Sequence, residues 1–202
     1  MGGVRTALYN YLYAKQHGGD FIIRIEDTDS HRFVPGAEKY IIEALNWCGI
    51  IPDEGVDASG NVVETPSERH PHAPYRQSQR RGIYRKYAEE LVENGYAYYA
   101  FDTADELAAK RSEMEAAGQT FIYNHITRKS LRNSLSMPES EWKPLLESHT
   151  DWTIRFKMPE DRVVKMDDLI RGHIEVNTDT LDDKVLWKRA DELPTYHLAN
   201  IV

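Results

Sequence analysis

The segment Glu26-Asp-Thr-Asp29 carries three carboxylates directly after the apolar run Phe21-Ile-Ile-Arg-Ile25. Open α/β sheets bind ligands at the carboxyl ends of their strands, so acids placed there can meet a cationic group of a substrate. Asp27 and Asp29 can instead cap the loop that follows and the helix beyond it, because Asp side chains readily bond nearby backbone. The residues alone leave both readings open. A divalent-metal site finds no His or further acid placed to complete it. Gly2-Gly3 opens a helical pattern, where backbone N–H groups can hold phosphate, although two glycines also serve plain flexibility. Basic residues cluster as well. From Arg69 to Lys86 there are six Lys or Arg and no acid, and from Phe121 to Ser134 three and no acid. Tyr75, Tyr84, Tyr98, Tyr99 and Tyr123 lie in or near these stretches. The mixture fits either a phosphate-tracking surface or ordinary solvated faces.

Elements that would position these groups follow from periodicity. Val4, Ala7, Leu8, Tyr11 and Leu12 recur at helical spacing, and Gly18-Gly19 stops them, which predicts a helix over 4–17. The continuous apolarity of Phe21–Ile25 predicts a buried strand. Pro35 opens a second helix with the stripe Ala37, Tyr40, Ile41, Ala44, Leu45 and Cys48, closed by Gly49. Helix, buried strand, helix is the grammar of an α/β sheet with crossovers. Residues 52–74 show no period and read as a surface loop. A stripe of Ile83, Tyr84, Tyr87, Ala88, Leu91 and Val92 restores the helix, and Asn94-Gly95 caps it. Beyond it a strand over 96–101 precedes Thr103-Ala-Asp-Glu106, a capping box that starts a helix running to Gly118. Strands follow at 152–158 and 185–187, and a closing helix is expected from Pro194. We therefore expect a first domain of 1–94 and 195–202, interrupted by an α+β domain over 95–194.

Composition bounds the function. The 202 residues carry 25 Lys plus Arg against 33 Asp plus Glu, a net charge of −8, which excludes a coating polycation but not a local basic patch. At a mean hydropathy of −0.63 no apolar run approaches 18 residues, so no membrane span is expected. Met1-Gly-Gly-Val-Arg-Thr carries no signal-peptide core, and a cytoplasmic location is expected. Cys48 is the single cysteine, which excludes an internal disulfide framework and any multi-cysteine zinc site.

Taken in order, Gly2-Gly-Val-Arg-Thr-Ala-Leu-Tyr-Asn-Tyr-Leu, Phe21-Ile-Ile-Arg-Ile-Glu-Asp-Thr-Asp29, Pro35-Gly-Ala-Glu38, Tyr75-Arg-Gln-Ser78 and Leu193-Pro-Thr-Tyr-His-Leu-Ala-Asn200 resemble bacterial glutamyl-tRNA synthetases over the whole chain. The tRNA-modifying glutamyl-queuosine relatives, the alternative within the family, usually lack the last of these runs. The resemblance implies a Rossmann-like class I catalytic domain interrupted by a connective, acceptor-stem-binding domain. It implies ATP with Mg2+ as substrate, L-glutamate activated to an adenylate, and transfer to the 3′ end of tRNA(Glu). By the same resemblance Glu26 meets the substrate's ammonium group, Tyr196 and Asn200 line the glutamate pocket, and Gly2 and Gly3 lie at ATP. Asp29 and Arg32 are implied near the tRNA 3′ end, with Arg128, Lys129 and Arg132 as candidates on the inserted domain.

Two departures bear on activity. Only Gly2 and Gly3 match the tail of the first class I signature, His-Ile-Gly-His, and the second, Lys-Met-Ser-Lys-Ser, does not occur in the chain. A piece of a longer enzyme, inactive by itself, is therefore expected, with a non-catalytic tRNA acceptor-binding module as the rival. Some family members bind zinc through cysteines just after the domain boundary; here that stretch reads Tyr96-Ala-Tyr-Tyr-Ala-Phe101, so no zinc is expected. Elemental analysis of the dialysed chain should find far less than one zinc per molecule, and stoichiometric zinc would contradict this reading.

Overall fold

Twelve helices and strands are laid out, in a computed structural model, over residues 2–28, 34–148 and 151–202. The chain divides into two compact units, Met1–Arg81 and Gly82–Val202.

In the first unit α1 (Gly2–Gln16) and α2 (Ala37–Trp47) pack on the segment from Phe21 to Ile25. Val4, Ala7, Tyr11 and Ala14, one face of α1, meet a core of Phe21, Leu45 and Ile50, with the Tyr11 and Phe21 rings edge to face at 5.8 Å. Two details depart from the sequence pattern. The buried face of α2 is Ile42 and Leu45, while Tyr40, Ile41 and Cys48 are exposed. The apolar side chains of this helix spread over more than half of its circumference, so packing rather than period decides which of them turn inward. The expected strand is also not a full ladder. Ile22 bridges Glu54 and Ile25 bridges Arg76, both in parallel, and each bridge stands alone.

Residues 52–74, read as a surface loop, are partly interior. Glu54, Val56, His70 and Ala73 are buried. Gly55 explains how the backbone comes so close: its φ is +105°, and an added Cβ would lie 2.1 Å from the Ile23 carbonyl oxygen. Only glycine tolerates both conditions. Asp53 fastens the same junction, accepting from the Phe21 N–H at 2.7 Å and from the Lys15 ammonium at 2.6 Å.

The second unit is built on a four-stranded antiparallel sheet. Its order is β1 (Ala97–Ala100), β2 (Thr153–Phe156), β5 (Val185–Lys188) and β6 (Leu193–Pro194). A separate hairpin pairs β3 (Val163–Asp168) with β4 (Gly172–Asn177). Helix α3 (Arg81–Glu93) lays Tyr84 and Ala88 against Trp152, Ile154, Leu186 and Trp187, and the short α6 (Tyr196–Ala199) adds Leu198 and Ala199. Residues 82–94 and 195–202 therefore pack in this unit, although the sequence reading groups them with the first domain; the shared apolar core is the reason. Pro194, expected to open the last helix, instead pairs with Trp187 in β6. Helix α4 (Ala104–Ala116) begins with the predicted capping box, Glu106 N–H to Thr103 Oγ1 at 3.2 Å and Thr103 N–H to Glu106 Oε2 at 2.8 Å. The remaining helix, α5 (Glu139–Glu147), places Trp142 against Tyr99.

One carboxylate ties this unit together. Asp183 is fully buried and accepts from the Tyr98 hydroxyl at 2.6 Å, the Met158 N–H at 3.1 Å and the Arg128 guanidinium at 3.2 Å. Arg128, a candidate for RNA contact from sequence, is 5% exposed and also binds Glu160 at 2.9 Å and the Met158 carbonyl at 3.2 Å. It is an interior fastening rather than a surface cation. Removing one partner of a buried pair costs about 3–5 kcal/mol, whereas exposed pairs contribute about 0–1 kcal/mol. Arg128→Met should lower the urea midpoint by the equivalent of about 3 kcal/mol, with Lys129→Met nearly neutral; equal midpoints for the two variants would contradict the assignment.

Candidate functional site

Glu26 follows directly on the lone bridge between Ile25 and Arg76. On one side the Ile25 N–H donates to the Tyr75 carbonyl at 2.8 Å, and the Gln77 N–H donates to the Ile25 carbonyl at 2.9 Å. On the other side Asp27 accepts from Ser78, from its N–H at 2.9 Å and its hydroxyl at 2.6 Å. The Glu26 carboxylate itself is exposed, with Arg24 Nη2 at 3.2 Å from its Oε1. An accessible carboxylate on a backbone held from both sides is suited to receive a cation of fixed shape.

The supporting segment is itself fastened. Tyr75 is buried, and its hydroxyl donates to the buried carboxylate of Glu54, whose other partner is His72 Nδ1 at 3.0 Å. Burial pushes the Tyr75 phenol up to about 12, and the Glu54 charge adds to the rise. For Glu54 burial works toward a higher pKa, yet the hydrogen bonds from Tyr75 and His72 outweigh it and hold the carboxyl below its usual range. Arg76 next door grips Glu38 of α2 through two nitrogens at 2.7 Å. Arg80 donates to the His72 and Pro74 carbonyls at 2.9 and 3.0 Å. Much of the basic stretch 69–86 is thus engaged within the protein. Tyr75, Tyr84, Tyr98 and Tyr123, considered above as part of a phosphate-tracking surface, are all buried.

Other sequence candidates fall in separate places. Asp29 and Arg32 lie outside the described residues. Gly2 and Gly3 form the first turn of α1, with open space around both. In the second unit, Tyr196 and Asn200 are both exposed, and the Asn200 N–H bonds the Tyr196 carbonyl at 2.9 Å. That i, i+4 spacing puts their side chains on one face of α6. Lys129 is exposed beside Glu160 at 3.6 Å, and Arg132 is half exposed beside Glu106 at 3.2 Å. Among the described residues no three His, Cys, Asp or Glu groups gather in a metal-binding arrangement. The stretch 97–100 forms β1, with Ala97, Tyr98 and Ala100 buried.

A cleft of about 390 Å³ in the second unit, absent from the sequence reading, is lined by Arg111, Phe121, Tyr123, Arg155 and Asp182 among others. The Arg155 guanidinium lies 3.8 Å from the centre of the Tyr123 ring and donates to the Asp183 carbonyl at 2.9 Å. The signal was present: a lone Arg between the apolar Ile154 and Phe156 of a predicted strand.

Comparison with known proteins agrees along the whole chain. Residues 1–202 match the family described as tRNA synthetases class I (E and Q), catalytic domain. The glutamate–tRNA ligases of Christiangramia forsetii and Phocaeicola vulgatus are 56% and 55% identical over 202 residues, the whole of this chain. The chain spans 38% and 37% of those two proteins, well under half of each. A crystal structure of a glutamate tRNA ligase from Elizabethkingia meningosepticum in complex with its amino acid superposes with a TM-score of 0.86. That match is at 57% identity over 99% of this chain and 38% of the other.

Acid titration probes the fastening beneath Glu26. Glu54 is held below its usual range, and so is Asp53, chiefly by the Lys15 hydrogen bond and then the Phe21 N–H. Their stabilisation is complete above the ordinary carboxylate range near about 4 and is lost as pH falls through the lower folded values. Tyr75→Phe removes the hydroxyl that favours the charged form of Glu54. It should cost about 1–3 kcal/mol at neutral pH and shift acid loss of the Ile23 and Ile25 amide signals to higher pH. An unchanged acid midpoint would contradict this account.

Proposed function

The chain belongs to the class I tRNA synthetase (E and Q) catalytic-domain family, and we propose that it is the part of a glutamate–tRNA ligase that recognises the amino acid and the acceptor end. The observation that carries the reading is the exposed Glu26 carboxylate on a segment latched at Ile25 and Asp27. In the proposed reaction the α-carboxylate of L-glutamate attacks the α-phosphate of Mg2+-ATP and pyrophosphate leaves. A ribose hydroxyl of the terminal adenosine of tRNA(Glu) then attacks the acyl carbon and releases AMP.

Within that scheme Glu26 accepts hydrogen bonds from the substrate ammonium group. Tyr196 and Asn200, on one face of α6, are further candidates for contact with glutamate. Polar pocket groups discriminate well, because a substrate that lacks the matching group leaves them unpaired. Gly2 and Gly3 expose backbone N–H groups at the start of α1 for a phosphate of ATP. Lys129 and Arg132, with Asp29 and Arg32, contact tRNA, and Arg111 and Arg155 in the cleft of the second unit join them. Magnesium enters with ATP as substrate, and no zinc is needed. The enzyme works in the cytoplasm.

The test uses Glu26→Gln in the full-length protein, which keeps the volume and removes the charge. A charge-assisted hydrogen bond contributes about 1.5–3 kcal/mol, so KM for glutamate should rise roughly ten- to a hundredfold while the thermal midpoint holds. An unchanged KM with a lowered midpoint would mean that Glu26 only organises the loop. The 202-residue chain by itself should give no ATP–pyrophosphate exchange above a blank, with or without tRNA.

A further inference from the structure

Asp27 is left without a role by that reading, although its carboxylate is more fully engaged than that of Glu26. Both of its oxygens are taken by a single residue, Ser78, at 2.9 Å to the N–H and 2.6 Å to the hydroxyl. Ser78 lies in the one-turn 3-10 helix Gln77–Arg80, and the residues just before it, Tyr75 and Gln77, hold Ile25 through its N–H and its carbonyl. Residues 25 and 27 are therefore tied to one short stretch, 75–78, and Glu26 is the residue between the two ties.

Each tie constrains something different. The Ile25 bonds are backbone to backbone and hold whatever side chains are present. The Asp27 tie is made by a side chain and acts on the carboxyl side of Glu26. Without it the peptide after Glu26 loses that hold, and the Glu26 side chain inherits the freedom. Arg24 stands ready to draw the loosened carboxylate, since its guanidinium is already 3.2 Å away. Binding that depends on a fixed geometry is lost steeply with small misplacements.

We propose that Asp27 is a positioning residue for amino-acid recognition, its two-point grip on Ser78 setting the geometry in which the Glu26 carboxylate meets an α-ammonium group. The proposal rests on the reading of Glu26 given above. It assigns specificity for the amino group to a pair, Asp27 and Ser78, that need not touch the substrate.

Steady-state kinetics on the full-length protein tests it, with Glu26→Gln, Asp27→Ala, Ser78→Ala, Ser78→Thr and the double variant Glu26→Gln/Asp27→Ala. Asp27→Ala should raise KM for glutamate about five- to thirtyfold, the factor that one or two kcal/mol commands. KM for ATP should change less than about twofold, a split that general loosening of the fold would not produce. Ser78→Ala should move KM for glutamate the same way by a smaller factor, and Ser78→Thr, which keeps the hydroxyl, should restore it. Because Asp27 acts through Glu26, the double variant should be no worse than Glu26→Gln alone. Glu26→Gln without effect would overturn both the parent reading and this one. A raised constant for Glu26→Gln with none for Asp27→Ala and Ser78→Ala would overturn this one only. Additive losses in the double variant, or equal rises for glutamate and ATP, would also overturn it. Should Asp27→Ala fail to fold, the contrast between Ser78→Ala and Ser78→Thr decides alone.

Discussion

An extended segment with no continuous ladder beside it must be held at points, and in the first unit everything around Glu26 depends on that constraint. Phe21–Ile25 has two lone parallel bridges, to Glu54 and to Arg76. Each bridge is reinforced by side chains: Asp53 binds the Phe21 N–H and Lys15 at one end, and Asp27 binds Ser78 at the other. Between the two anchoring stretches runs the bond from Tyr75 to Glu54. The unit is thus cross-linked by carboxylates alongside the few backbone bonds that the bridges supply. Such fastening is specific because each buried or half-buried carboxylate is costly unless its partners are in place.

The second unit solves a related problem with a conventional sheet and one wholly buried acid. Asp183 reaches Tyr98 on β1, Arg128 in a one-turn helix and the backbone of Met158, three places far apart in sequence. Burial and the nearby charges drive the Tyr98 phenol well above its usual range, so it stays a donor at any physiological pH. Around this polar centre the apolar core is aromatic, with Trp152 and Trp187 5.3 Å apart and Tyr99 edge-on to Trp152 at 5.4 Å. The strand that carries Tyr98 is thereby fastened to both β2 and Asp183. The same sheet carries α6, whose Leu198 and Ala199 face inward and leave Tyr196 and Asn200 outward.

What was legible in the sequence was local. The Thr103–Glu106 box and the stop at Gly95 depend on residues three or four apart, and both stand as read. The short strings around Glu26 and Tyr196 carried the family, because each string holds its chemistry within a few residues. Long-range pairing was not legible. Nothing near Arg128 announces Asp183, 55 residues away, so a run of cations read as a surface when part of it is interior. The phase of α2 was misjudged because Tyr40 and Ile41 are apolar yet exposed. The interior role of Glu54 was hidden in a stretch without period, where only Gly55, at a φ of +105°, hints at close approach of another backbone.

The central claim is that the Glu26 carboxylate, fixed by its neighbours, is the group that receives the amino group of the substrate. A crystal structure of the full-length protein with L-glutamate measures this most directly. The account predicts the ammonium nitrogen within about 2.7–2.9 Å of a Glu26 oxygen, with the Asp27–Ser78 pair intact. An ammonium group satisfied by other residues, with Glu26 still turned to Arg24, would contradict it.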